Sequence, residues 1–459
     1  MEAASVAPNI IKVSCCRKRA PCPTCGKMGR RKNKTPLVRR VRTIAYKQVV
    51  FLEIKYAEYR ASCDCCKTFR SSPRGVDPKC LYDNKVREAV LDRILQDGMN
   101  IQKVRAALAR DFLLDLSEGF FYDCLHKEVS RVDMAEYREW TLEHFSGTMC
   151  IDELHLGRYT LLLATDPVGD FPVGFALVSR NDQDHMRRFL GNLKAHGIEP
   201  TTVITDGSNL YPTLLTELWP DAQHQLCVFH VMQDLNKHVL DAVKRLRRQM
   251  ARSGNRGRKR KRGRPTKAQH HARKRQKQTV KDKAHFVFKH RYLIVKRREG
   301  MSDKEQKDLR TLLQYLPGLR TLRTFVDRLH SLFEPKQSLH QARCRRAALV
   351  GNSVFSGVPE LAAAIKMLEP EKFEKMIAFL HRPANQRIRT NNHVERTNRK
   401  LRYFEKLRYK WRRRRSIVRF IVLAIRRWWK EKLSAEAPGA KKSTTKTPIP
   451  KTSHTRKAA

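Results

Sequence analysis

Two sets of residues in this chain have types and spacings suited to chemistry. The first is a pair of cysteine motifs, "CPTC" at Cys22 and Cys25 and "CDCC" at Cys63 and Cys66. A two-residue gap puts both sulfurs on one side of an ion, so two such pairs make a tetrahedral thiolate site for zinc. A closed four-sulfur site would fold a small ribbon and do no catalysis. Cys65, Cys15 and Cys16 leave the fourth ligand open, and reduced cysteines without metal are the alternative. The second is Glu395, the only acid between Glu374 and Glu405, crowded by Arg382, Arg387, Arg389, Arg396, Arg399, Lys400 and Arg402. An ordinary surface ion pair would stabilise by only about 0.3 to 0.5 kcal/mol, and the rest of the chain decides whether that is all this acid does.

Composition favours a polyanionic partner. In 459 residues, 96 Lys and Arg face 45 Asp and Glu, a formal net charge of +51, and a field of that size attracts nucleic acid or an anionic membrane. No run of about 18 apolar residues exists to span a bilayer, and "MEAASVAPNIIKVSCC" lacks the regions of a secretory signal. The expectation is therefore a soluble intracellular protein. Seven of the twelve cysteines lie within residues 15–66, a clustering that fits metal ligands or reduced thiols better than a disulfide framework. The length suits about three domains.

The elements that must position these residues follow from pattern. The alternating run "YKQVVFLEIKYAEYRA" predicts strands between the cysteine pairs, giving a zinc ribbon over 1–80. Within 81–140, "VREAVLDRILQDG", "NIQKVRAALARDF" and "SEGFFYDCLHKEV" read as short helices. They suit either a helix-turn-helix or a plain helical spacer. From 146 the order is three strands ("GTMCIDELHL", "RYTLLLATD", "DFPVGFALVS"), a helix, the strand "TTVITDG", the helix "YPTLLTELW" and the strand "HQLCVFHV". That order departs from strict βαβ alternation.

This order resembles the ribonuclease H-like core of DDE transposases, the enzymes of bacterial insertion sequences, in the type with an N-terminal zinc ribbon. The residues that carry the resemblance are Asp152 in "IDEL", Asp206 in "ITDG", Glu395 in "NNHVERTN", and Cys227 and His230 in "CVFHV". It implies a multidomain α/β protein: zinc ribbon, helix-turn-helix, then a mixed ribonuclease H-like sheet interrupted by a basic and helical insertion. It further implies that Asp152, Asp206 and Glu395 bind magnesium or manganese and are catalytic. Phosphodiester transfer can run on two divalent ions about 3.5 to 4 Å apart, and magnesium takes oxygen ligands. Water would attack at the element end to free a 3′ hydroxyl, which would attack target DNA directly. Double-stranded DNA is the implied partner, bound by a homodimer or higher oligomer. Cys227 and His230 either pack the fifth strand or help to place the DNA end.

In this frame the core's first part is 146–245 and its last helix lies in 385–434, with an insertion over 246–384 that turns helical at 300–380. From 251 to 278 there are 13 Lys or Arg and no acid, so composition predicts a basic disordered segment over 251–285. Within it "KRGRPTK" resembles an AT-hook, with Arg262 and Arg264 entering an A·T-rich minor groove; a nonspecific phosphate contact is the alternative. Arg396, Arg399, Lys400 and Arg402 are expected to hold phosphates beside Glu395, and 435–459 is a basic disordered tail. The function expected is strand cleavage and transfer. The alternatives are a catalytically inactive transposase-derived regulator and, more remotely, an RNA-binding protein.

Overall fold

The structure is a computed structural model that describes residues 8–77, 79–253, 266–407 and 413–436. Arg262, Arg264 and the tail beyond Glu436 lie outside the described residues. The chain forms two units, one comprising the residues up to Tyr137, Leu156–Arg158 and Lys400 onward, the other Arg138–His155 and Tyr159–Arg399.

The first unit opens with seven strands: β1 (Asn9–Ser14), β2 (Arg19–Pro21), β3 (Met28–Arg31), β4 (Leu37–Ala45), β5 (Gln48–Tyr56), β6 (Glu58–Arg60) and β7 (Thr68–Arg70). One sheet has the order β1-β5-β4 and the other β2-β3-β6-β7. In the second sheet the β2–β3 turn carries Cys22 and Cys25, and the β6–β7 turn carries Cys63, Cys65 and Cys66. Ala20, Tyr59 and Phe69 form its small core, so metal would supplement a modest apolar burial.

Three helices follow, α1 (Asn84–Leu95), α2 (Ile101–Phe112) and α3 (Glu118–Ser130). Asp83 and Asn100 start the first two by accepting from Val86 N–H and Lys103 N–H, satisfying donors that a helix start leaves open. Their apolar faces meet in one cluster through Val90, Ile94, Leu108, Phe121 and Leu125.

The second unit is built on a five-stranded sheet. Its strands are β8 (Thr148–Leu156), β9 (Tyr159–Asp166), β10 (Phe171–Val178), β11 (Thr202–Thr205) and β12 (Gln223–Leu226), in the order β10-β9-β8-β11-β12. α4 (Met134–His144) precedes the sheet, while α5 (Gln183–Ala195) and α6 (Pro212–Leu218) lie between its strands in sequence. β9 and β10 are antiparallel, whereas β11 runs parallel to both β8 and β12. Asp166 is wholly buried and caps the β9–β10 turn, accepting from Val168 N–H and Gly169 N–H.

The fifth strand is shorter than the pattern "HQLCVFHV" predicts. Cys227 N–H still donates to Thr205 O at 2.8 Å, but there β11 ends, and Val228 N–H is taken by Arg389 O at 2.8 Å. The chain turns into α7 (Val228–Ser253), whose Val231, Leu235, Val239 and Ala242 enter a large helical core at helical spacing. A second departure lies in the basic segment. Lys267–His290 forms α8 where composition predicts disorder, because Val287, with Phe286 beside it, packs into the same core.

That core is completed by α9 (Asp303–Tyr315), α10 (Pro317–Leu332), α11 (Leu339–Val350), α12 (Ser353–Ser356), α13 (Pro359–Lys366) and α14 (Pro370–Met376). α15 (Asn392–Leu407) carries Glu395. The last helix, α16 (Arg414–Glu436), belongs to the first unit. Leu423 joins the α1–α3 cluster and Arg426 pairs with Glu128 at 2.7 Å, both side chains being mostly buried. Sequence boundaries alone group this helix with the Glu395 segment.

Candidate active site

Three carboxylates approach one another in the second unit. The β8–β11 register pairs Thr202 with Thr148 and Ile204 with Cys150; carried two residues further, it sets Asp206 beside Asp152. Parallel neighbours keep residues of like register on one face. Asp206 is fixed where β11 turns away, its Oδ1 accepting Ser208 N–H at 2.9 Å. Gly207 between them has φ +98°, a conformation a side chain would strain.

Glu395 reaches this place from α15. Val394 and Thr397 are buried, and so is the polar side of the same helix, at Asn391, His393 and Asn398. Asn398 Nδ2 donates to Asp152 Oδ2 at 2.9 Å, and His393 Nε2 meets Asp170 Oδ1 at 2.6 Å in the β9–β10 turn. Burial pushes the Asp152 carboxyl up to about 6; the backbone of Glu153 and the Asn398 amide oppose this, while the charges of Asp206 and Glu395 add to it. Asp206 and Glu395 thus each lie within electrostatic reach of Asp152.

The second observation is what these acids lack. In a chain of net charge +51, no described Lys or Arg forms an ion pair with Asp152, Asp206 or Glu395; Glu395 meets His230 Nε2 at 3.8 Å, beyond hydrogen-bond range. Glu395 Oε1 is buried without a hydrogen bond. A buried carboxylate oxygen without a donor is costly, so clustered acids left this way suit a cation with oxygen ligands.

Cys227 and His230 sit at this site's edge. The Cys227 thiol donates to Asn391 Oδ1 at 3.0 Å, tying the start of α7 to the start of α15. The Cys227 sulfur is the largest influence raising His230 above its ordinary value; burial opposes it, and the charges of Glu395 and Asp206 reinforce it. Asn398 and Asn391 are contributors that sequence reasoning gave no separate role, although Asn398 lies three residues after Glu395 and so on the same helix face. Glu153, next to Asp152, is largely buried towards Tyr211, and desolvation raises its pKa.

The expected phosphate-holding residues divide. Arg396 and Arg399 are exposed in the second unit, Arg396 lying 3.8 Å from Asp170. Lys400 and Arg402 belong to the first unit, with Lys400 Nζ 5.4 Å from the Trp428 ring centre.

In the ribbon, the sulfurs of Cys22, Cys25, Cys63 and Cys65 all lie within 4.8 Å of one another. The fourth member is thus Cys65, where equal spacing points to Cys66; Cys66 Sγ lies 3.8 Å from Cys22 Sγ. Backbone N–H groups of Cys25 and Thr24 aim at the Cys22 sulfur and lower its pKa to about 6, which favours the thiolate that zinc binds.

A family model described as a transposase, of the DDE type named for ISL3, matches residues 149–416. That is more than half of the chain, which therefore belongs to this transposase family. A solved structure, the Drosophila P element transposase strand transfer complex, is similar at 12% identity with a TM-score of 0.31, covering 71% of this chain and 93% of that one. A comparison with curated protein sequences finds no match. Among the described residues no helix is long and apolar enough to cross a membrane.

Proposed function

We propose that this transposase cleaves and joins DNA strands at a divalent-metal site formed by Asp152, Asp206 and Glu395, and that its five-stranded sheet is a ribonuclease H-like core. The observation that carries the reading is that, among the described residues of so basic a chain, no Lys or Arg pairs with Asp152 or with the two acids, Asp206 and Glu395, whose charges bear on it. Magnesium or manganese bound there would activate the attacking oxygen and stabilise the leaving one. Asn398 orients Asp152, and the Cys227–Asn391 bond fixes the start of the helix that presents Glu395. Exposed Arg396 and Arg399 contact phosphates. The cysteine cluster holds structural zinc, α1–α3 bind the element's terminal DNA, and the active species is an oligomer on DNA.

The test uses a labelled duplex carrying the element's end. Asp152→Asn, Asp206→Asn and Glu395→Gln keep shape but remove charge, and each should lower cleavage roughly a thousandfold, several kcal/mol of transition-state stabilisation. DNA binding without metal should persist, and Asp184→Asn, an exposed acid in α5, should cleave normally. Full activity in Glu395→Gln would falsify the assignment. A wild-type protein that binds its element's ends but never cuts them would instead be a regulator.

A further inference from the structure

The helical insertion contains one face on which two arginines are held against an aromatic ring without a carboxylate partner among the described residues. Several arginines of this region are neutralised by neighbouring acids. Arg245, one residue before the insertion, and Arg297, Arg298 and Arg343 within it each pair with a carboxylate, at 2.7, 3.0, 2.7 and 2.9 Å. Arg247 and Arg291 pair with none among the described residues; both lie against the ring of Phe288, their guanidinium carbons 5.2 and 4.3 Å from its centre. Arg291 also stacks on Tyr292 at 4.3 Å and donates to Phe288 O and Tyr292 Oη at 2.6 and 3.1 Å. Phe288 is 48% exposed and Tyr292 56%, so neither ring is explained by the core. A groove between α7 and α8 runs on from Phe288 past Arg247, Lys277 and Lys281. No acid occurs between Asp241 and Asp282.

An arginine stacked on an aromatic face has given up much of its rotamer freedom before any ligand arrives, and an exposed cation–π contact is worth about 0.5 to 1 kcal/mol. Fixed guanidinium groups without carboxylates are complementary to phosphate oxygens. We propose that Phe288 is a platform presenting Arg247 and Arg291 to the phosphodiester backbone of duplex DNA along the α7–α8 groove. The proposal rests on the transposase reading. Arg247 is 17 residues after His230 on one helix, about 26 Å at 1.5 Å per residue, a distance that one turn of duplex spans.

Binding of the full-length, zinc-loaded protein to a 30-base-pair duplex, with magnesium and manganese left out so that cleavage plays no part, tests this across a salt series. Arg247→Gln with Arg291→Gln should flatten the slope of log affinity against log salt by about 1.8, at about 0.9 per phosphate contact. Arg343→Gln, which removes a charge already paired with Glu374, should leave the slope unchanged. Phe288→Ala keeps every charge, so it should weaken binding about three- to fivefold at nearly constant slope, and Phe288→Trp should restore it. An unchanged slope in the double variant overturns the proposal. So does a change seen with single-stranded RNA but not with duplex, or equal affinity of Phe288→Ala and wild type. Because no magnesium or manganese is supplied, loss of cutting activity elsewhere would not imitate any of these outcomes.

Discussion

Asn398 Nδ2 donates to Asp152 Oδ2 at 2.9 Å, joining the helix of Glu395 to the first strand of the sheet across 246 residues of sequence. The amide supplies a donor to the carboxylate oxygen but carries no charge, so it orients Asp152 without competing for a cation's role. Partners of metal-binding side chains typically contribute 10- to 100-fold to metal affinity or activity. Asn398→Ala should therefore raise the magnesium concentration for half-maximal cleavage by roughly tenfold, with most activity recovered at high magnesium. An unaltered magnesium titration would remove Asn398 from the site.

The cysteine cluster gives a sharper choice. If the fourth ligand is Cys65, as the mutual distances within 4.8 Å suggest, Cys65→Ser should lower bound zinc and loosen the ribbon, while Cys66→Ser should retain one zinc per chain. Metal content by mass spectrometry and the thermal transition of each variant decide between them. The reverse pattern would restore the equal-spacing assignment of Cys66.

Much of the carboxylate site is legible in the sequence because strands and helices have strong periods. Asp152 and Asp206 fall in or just after strand patterns, and Glu395 stands out as a lone acid among cations. Long-range pairing is not legible: that β8 lies beside β11 depends on the whole sheet. Cys227–Val231 reads as strand because Val, Phe and Cys suit either state; only the end of β11 at Thr205 and the claim of Arg389 O on Val228 N–H decide for helix. The packing of α16 with α1–α3 and the approach of the Cys65 sulfur to those of Cys22, Cys25 and Cys63 are likewise set by spatial neighbours.

His224 on β12 provides a pH signature separate from catalysis. Burial, with help from the charge of Lys375, lowers its pKa to about 4, while its Nε2 lies 2.9 Å from Thr205 Oγ1. The folded protein resists protonating this ring and the unfolded chain does not. Its contribution is therefore intact above pH 6.5 and is lost as pH falls from 6.5 towards 4, by about 3 kcal/mol in all. Urea unfolding at pH 7.5 and 5 should show His224→Gln gaining stability relative to wild type at the lower pH. A constant difference between the two proteins would show that His224 titrates normally.

The insertion is tied to the sheet through one buried side chain. Gln225, wholly buried on β12, donates through Nε2 to Met376 O at 2.9 Å and accepts Phe379 N–H through Oε1 at 2.6 Å. One side chain thus satisfies two backbone groups at the end of α14, just before the segment leading to Glu395. Gln225→Leu would fill similar space but leave both groups buried and unpaired, at about 1 to 3 kcal/mol each, so a loss of roughly 2 to 5 kcal/mol is expected. Gln225→Glu keeps an acceptor for Phe379 N–H and loses the donor to Met376 O, bringing a buried charge as well; its unfolding should become strongly pH-dependent, with the deficit smallest at low pH where the carboxyl is protonated and can donate. Chemical denaturation of the three proteins at pH 5 and 8 measures this. Equal stability of Gln225→Leu and wild type would mean that the end of α14 is held by apolar packing alone.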